Sequence, residues 1–199
     1  SLVRARQAVS RIVGRDTDHL SEPEVVRATV ETIAESTSDG VIAPLVYLVV
    51  GGPPLALAYK AINTLDSMIG HHDDRYRDFG WASARLDDAV NWLPARLTAV
   101  LFVVAAGLYT RTMRQAWHIM QRDGAKHPSP NSGRPEAAMA GALGVQLGGT
   151  NFYGGHRSVR SHLGDRIRSL NPVHITAALR LMAVASFMAV MLAVTIVAR

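Results

Sequence analysis

Apolar residues in this chain fall in blocks set apart by strongly polar stretches, so the blocks define the expected elements better than any average does. Residues 181–198 form a run of about 18 residues without a charge, long enough to span the hydrocarbon core of a bilayer as a helix. A second run, residues 97–108, reaches back to Trp92 if Arg96 snorkels towards headgroups, and together they have about the length needed to cross. Trp92 and Tyr109 then stand at the two interfaces as aromatic anchors. The third block, residues 41–57, is broken by Pro44 and by Gly51, Gly52, Pro53 and Pro54. It predicts a helical hairpin or re-entrant pair, since irregular backbone at membrane depth survives only inside protein or beside a wet cavity. Such a hairpin brings Glu35 and Asp39 near Lys60. The pattern predicts an all-α fold: a polytopic membrane helical bundle with re-entrant or broken helices and a cytoplasmic loop region, all in one membrane-embedded domain.

The intervening segments carry helical signals of their own. Residues 1–13 place Leu2, Val9, Ile12 and Val13 roughly on one side of a helix that packs on the rest, and residues 14–20 make a polar connector. Ser21 and Glu24 form a capping box with Pro23 in the first turn, so a helix starts there. Along it Arg27, Glu31 and Glu35 follow at four-residue steps, which predicts an Arg27–Glu31 pair, with Glu35 looking past the helix end; the alternative is a solvated stripe. Residues 55–69 read as a helix with Ala61, Ile62, Leu65, Met68 and Ile69 on one side and Lys60, Asn63, Thr64, Asp66 and Ser67 on the other. Gly70 ends it, HHDDRYRDFG follows as a loop, and a further helix starts near Trp81, carrying Arg85, Asp87, Asp88 and Asn91 ahead of Pro94.

After Tyr109 the chain turns polar as far as Thr176, and Arg111, Arg114, Arg122 and Lys126 place this region in the cytoplasm by the positive-inside rule. HPSPNSGRPE is an ordered loop, and PEAAMAGALGVQL restarts a helix whose Ala138, Gly141, Ala142 and Val145 permit close packing. GGTNFYGGHRSVR offers backbone amides and arginines that suit a phosphate, but no P-loop pattern occurs.

Composition narrows the chemistry. With no cysteine there is no disulfide, thiol nucleophile or cysteine-ligated cluster. A net charge of +5 favours anionic partners, lipid headgroups or phosphorylated substrates. Nucleic acid is disfavoured, because the basic residues are spread along loops beside apolar blocks. The opening SLVRARQAVSRIVGR is basic and amphipathic and does not read as a secretory leader. Acids, bases and amides gather in residues 60–96, a set suited to a phosphate-bearing, metal-bridged ligand; composition alone favours surface ion pairs such as Arg85 with Asp88. HHDD as a zinc site is disfavoured by its spacing.

TVETIAESTSDGVIAPLVY, the 60–96 stretch and SPNSGRPEAAMAGALGVQLGG resemble the CobD/CbiB family, the membrane-bound adenosylcobinamide-phosphate synthases of cobalamin biosynthesis. The resemblance implies a ligase that joins aminopropanol, or its phosphate ester, to a propionate of adenosylcobyric acid, with the carboxylate activated by ATP and Mg2+. It implies roles as well. Asp66, Asp87 and Asp88 hold the metal, with Glu31 and Asp39 behind them; Lys60, Arg75, Arg77 and Arg85 neutralise phosphoryl oxygens; His72 is the candidate base, the alternative being an exposed loop histidine. Glu31, Glu35, Asp39, Asn63, Asn131 and Glu136 serve the substrate. Ser36 stands where an asparagine is expected, and His71 and Arg134 where aromatics are usual. Family members extend further at the N-terminus with hydrophobic segments, so the chain is expected to lack them. The implied setting is the cell membrane, multi-pass, with the lipid bilayer and other cobalamin-pathway membrane enzymes as partners. ATP chemistry requires the HHDDRYRD and SPNSGRPE loops to face the cytoplasm together, with the segment between them re-entrant or the site reached from within the bundle. The alternative function is a non-catalytic membrane corrinoid-binding or transport component, which would not require several carboxylates.

Overall fold

A computed structural model describes residues 1–70 and 77–198, with side chains 77–79 outside the description. The order is α1 (Leu2–Val9), α2 (Glu22–Thr37), a π-helical segment (Ser38–Ile42), α3 (Ala43–Ile69), α4 (Arg77–Tyr109), α5 (Met113–Asp123), α6 (Gly133–Leu143), β1 (Leu147–Tyr153), β2 (His156–Leu163) and α7 (Val173–Val197). The fold is the expected all-α membrane type: among the described residues, three helical stretches, Glu22–Ile69, Gly80–Tyr109 and Val173–Val197, are long and apolar enough to cross a bilayer.

The first of these stretches is not straight. Gly51 (φ −143°, ψ 18°) and Gly52 (φ 67°, ψ −167°) leave helical geometry, and the second pair of angles belongs to glycine almost alone. Beyond them the chain folds back: the rings of Tyr47 and Tyr59 stack with centroids 5.1 Å apart. Along an unbroken helix twelve residues would be separated by about 18 Å. The Tyr59 hydroxyl also lies 3.3 Å from the carbonyl of Asp39. The expected hairpin is therefore present, with arms 43–50 and 53–69.

Helix α4 begins at Arg77, a turn ahead of the expected start near Trp81, and runs through Pro94 without ending. Proline has no N–H for the carbonyl four residues back, so that of Val90 is left unpaired within the helix. The Tyr47 hydroxyl donates to this oxygen at 2.7 Å, which both satisfies the carbonyl and docks the hairpin on α4.

The core joins α2, α4, α6 and α7 through Val30, Phe102, Met139 and Leu181. The small-residue helix appears as α6, and a Cβ on its Gly141 would fall 2.7 Å from Ala116 Cα, so α5 and α6 meet backbone to backbone. Helix α1 packs on α2 through Val9, Val25 and Ala28, as expected, but Ile12 is 53% exposed and does not share that face because the helix stops at Val9. Exposed apolar residues collect on the hairpin (Val50, Leu57) and on the last turns of α7 (Phe187, Val197), where lipid would cover them.

The hydrophobic pattern predicts no strand, yet GGTNFYGGHRSVR forms an antiparallel ribbon with Thr150 opposite Val159 and Tyr153 opposite His156. Asp16 fastens its turn: the carboxylate accepts the N–H groups of Gly154 and Gly155 at 2.9 and 2.8 Å.

Candidate functional site

Four helical segments, two loops and the ribbon enclose a cavity of about 590 Å3. Helix α4 contributes Asp87, Asp88 and Asn91; the two acids stand four and three residues before Asn91, so both neighbour it on one side of the helix. The returning arm of the hairpin contributes Asp66, the end of α2 contributes Glu35, and the π-helical segment contributes Asp39. Asp39 stands four residues after Glu35, so the two share the cavity side. Asn131 arrives from the 128–132 loop. The opposite wall is basic and aromatic: Arg15, His127, Tyr153 and Arg160.

Hydrogen bonds fix this arrangement. Lys60 donates to Asn63 Oδ1 at 3.1 Å, and Asn63 Nδ2 donates to Asp87 Oδ1 at 3.3 Å. The Tyr59 hydroxyl stands 2.9 Å from Asn91 Oδ1. Asn131 Nδ2 donates to the Asp88 carbonyl at 2.8 Å, tying the SPNS loop to α4, and the Ser132 hydroxyl donates to Glu35 at 3.2 Å. Because the Asp88 carbonyl requires a donor, Asn131 Oδ1 is oriented away from it, and it is buried with no partner among the described residues.

Of the residues singled out in the sequence, Glu35, Asp39, Asp66, Asp87, Asp88 and Asn131 therefore share one cavity, with Asn63 and Lys60 connected to its edge. Others lie elsewhere. Arg85 sits 5.8 Å over the Trp81 ring and does not line the cavity. His72, Arg75 and the side chain of Arg77 lie outside the described residues. The expected Arg27–Glu31 pair does not form, nor do the two make a solvated stripe. Both are buried; Glu31 meets Arg15 at 2.6 Å and accepts the Gly148 N–H at 2.8 Å, while Arg27 donates to the Gly148 and Thr150 carbonyls and to Asn151. Tertiary partners on the ribbon and connector outcompete the helical neighbour. Glu136 is buried behind the cavity wall, 3.7 Å from His127 Nε2, and is not open to a ligand.

Burial, with Glu31 and Glu35 nearby, pushes the Glu136 carboxyl well above the usual range, against the opposing pull of Arg160 and Arg15. Burial and then Arg160 push His127 down, opposed by the Ser129 backbone and Glu31. The two shifts favour uncharged forms for both partners near neutrality. Arg15, His127, Tyr153 and Arg160 were not selected from the sequence; they reach the cavity through the connector and the ribbon, whose placement no local pattern encodes. Asn91 had a signal, its i+4 spacing from Asp87.

Among the described residues no three histidine, aspartate or glutamate side chains are set closely enough to enclose a metal by themselves. Magnesium does not need that: one or two carboxylates plus phosphate and water oxygens suffice, and Asp66, Asp87 and Asp88 facing one cavity suit it.

The family described as CobD/Cbib protein matches residues 1–182. The chain is 58% identical over 192 residues to the cobalamin biosynthesis protein CobD of Geobacter metallireducens, covering 96% of this chain and 60% of that protein. It is 50% identical over 192 residues to the protein of the same name from Yersinia enterocolitica, again covering 96% and 60%, and 45% identical over 195 residues to that from Clostridium perfringens, covering 98% and 62%. It thus spans about 60% of the length of these relatives. No solved structure matches. With the family match running through the hairpin, the carboxylate cavity and the SPNS loop alike, the chain belongs to the CobD/CbiB family.

Proposed function

We propose that this chain acts in cobalamin biosynthesis as a ligase that forms the amide between aminopropanol, or its phosphate, and a propionate of adenosylcobyric acid. The observation that carries the reading is the cavity itself: five carboxylates, Glu35, Asp39, Asp66, Asp87 and Asp88, face Arg15 and Arg160 across about 590 Å3, a volume typical of small-molecule sites. A wall of carboxylates opposite arginines suits a magnesium-bridged phosphate chain and a cationic amine. It would be an unfavourable lining for a site that only held an amidated corrin.

Asp66, Asp87 and Asp88 are the candidate magnesium ligands, and bound ATP would supply the phosphoryl group that turns the propionate into an acyl phosphate. The remaining steps fall to the protein's own groups. Arg160, which among the described residues hydrogen-bonds only Tyr153 and His127, is placed to balance phosphoryl charge, while Arg15 is already paired with Glu31. Asn131 Oδ1 can accept an N–H of the entering amine, and Glu35 or Asp39 can hold its ammonium form. As the amine nitrogen bonds to the acyl carbon, phosphate leaves and the amine's proton passes to a base, the role assigned to His72.

Topology favours a cavity open to the cytoplasm in a multi-pass protein of the cell membrane. Gly70, which precedes HHDDRYRD, and Asn131 of SPNSGRPE line the same cavity. The two stretches are also tied directly, Asn131 Nδ2 donating to the Asp88 carbonyl at 2.8 Å; between them α4 is long enough to cross, and the 11-residue α5 with the segment after it leads the chain back alongside α4. That adjacency supports placing Asp88 and Asn131 on the same side of the membrane.

The test is mass spectrometry of adenosylcobyric acid incubated with the purified full-length protein, ATP, magnesium and each amine in turn. The expected product has gained one amine and lost one water, with ADP and phosphate formed in equal amount. Binding of the corrinoid with no product under any pairing would instead support the non-catalytic binding component.

A further inference from the structure

We propose that a second, smaller cavity, between the start of α2, the ribbon and the 166–170 segment, binds the phosphate group of a phosphorylated ligand. It measures about 280 Å3 and shares no lining residue with the carboxylate cavity. Its back wall is Arg27, a guanidinium whose side chain is buried and whose hydrogen bonds go only to neutral acceptors, two carbonyls and the Asn151 amide. Among the described residues no carboxylate forms an ion pair with it: Glu31, one turn along α2, is taken by Arg15. Glu24 stands at the rim and attracts Arg27 at a distance without forming an ion pair with it; its carboxylate is engaged by the backbone N–H and hydroxyl of Ser21.

Around this buried cation stand Arg166, Arg168 and His162, all exposed, with no hydrogen bond or ion pair of their side chains among the described residues. The neighbouring Asp165 is turned away and binds Arg122 at 2.8 Å. The lining therefore holds three arginines and a histidine against one occupied glutamate. A buried charge without a counter-ion is costly, and a ligand oxyanion in the cavity would lower that cost. Gly148 and Gly149 keep the wall low: both have φ near +80 to +90°, and a Cβ on Gly149 would press to 3.0 Å from the His162 ring. Backbone stripped of side chains beside guanidinium groups is the arrangement that lets phosphate oxygens approach closely.

Two sources present this chemistry, a soluble phosphate ester and the headgroup of an anionic phospholipid, and the experiment has an arm for each. The full-length protein in uncharged detergent with EDTA, so that a magnesium-dependent nucleotide site stays silent, is titrated calorimetrically with inorganic phosphate and with adenosine monophosphate. In parallel, native mass spectrometry counts phosphatidylglycerol retained from mixed micelles with phosphatidylcholine as the reference. The R166E/R168E double variant changes exposed side chains only, and R4E/R11E on α1 makes the same charge change far from the cavity. The expected result is binding in one arm, weakened about tenfold or more by R166E/R168E and left within about twofold by R4E/R11E. Calorimetric binding identifies a soluble ligand, and selective lipid retention identifies a headgroup. Absence of binding in both arms, or equal losses in the two double variants, overturns the proposal. Neither readout depends on amide formation, so failure of the ligase assay leaves this test intact.

Discussion

Glu136 is the residue where burial and charge are most at odds, and its consequence is a pH dependence of definite sign. Its folded-state pKa lies above the ordinary 4.5, so the stability linked to its proton is fully present below that pH and is lost as pH rises through the folded value. Glu136→Gln removes the titration. Thermal unfolding in detergent should show the variant gaining on the wild type from pH 5 to 8, with each kcal/mol worth about 2–4 °C at this chain length. A gap that stays constant with pH would refute the assignment. Asp123 runs the other way. Arg122, Lys126 and the Gly164 N–H hold its carboxyl far below the ordinary 3.8, so its contribution is present above that value and lost only as pH falls through the folded pKa. Asp123→Asn should therefore cost about 2 kcal/mol near pH 7 and progressively less in strong acid. At the cavity, Asp87→Asn and Asp88→Asn keep shape but remove charge, and turnover should fall at least about 100-fold with a raised magnesium requirement. Unaltered kinetics in both would return these residues to a structural role. The acids of α3 and α4 were legible from sequence because helical spacing alone puts Asp87 and Asp88 four and three residues before Asn91, on its side of the helix. Glu136 was not, since burial behind His127 depends on how α6 meets a loop.

At the scale of elements, the contact that joins the hairpin to α4 rests on a proline and a tyrosine 47 positions apart in sequence. Tyr47→Phe deletes the hydroxyl that satisfies the Val90 carbonyl and should cost about 1 kcal/mol. In a Pro94→Ala background the restored N–H can serve that carbonyl, so the same change should cost clearly less; equal costs in the two backgrounds, measured by denaturant unfolding, would break the proposed link. The hairpin itself could be read from residues 41–57, because a Gly-Gly-Pro-Pro string cannot continue a straight helix. The ribbon could not. Its glycines at positions 148, 149, 154 and 155 all take positive φ, yet outside their tertiary setting they read equally well as a loop. Arg27 and Glu31 mislead for the same reason: four-residue spacing offers a pair worth about 0.2–0.5 kcal/mol, too little to hold either side chain against the ribbon.

For the whole molecule, the arrangement makes a topological prediction that a cysteine-free chain tests cleanly. Ser67→Cys, beside the cavity-lining Asp66, and Ser132→Cys on the SPNS loop should both stay unlabelled by an impermeant maleimide in intact cells and both react after lysis. Reaction of one before lysis and the other only afterwards would place them on opposite faces and remove the geometric basis of an ATP-dependent site. Which apolar runs exist was plain from composition. That Asp88 and Asn131 meet was not, because it follows from the chain turning through α5 back beside α4. The hairpin adds a mechanical consequence. From Asp39 to its tip at Gly51 an arm is about 18 Å long, against a hydrocarbon thickness of about 30 Å. Inserted in a bilayer, such a wedge takes up area in one leaflet and little in the other. Its insertion then does work against lateral pressure on one side only, so lipids that crowd or relax that leaflet would shift the balance between a seated and a withdrawn hairpin, and with it the position of Tyr59 and of Asp39 in the lining of the carboxylate cavity.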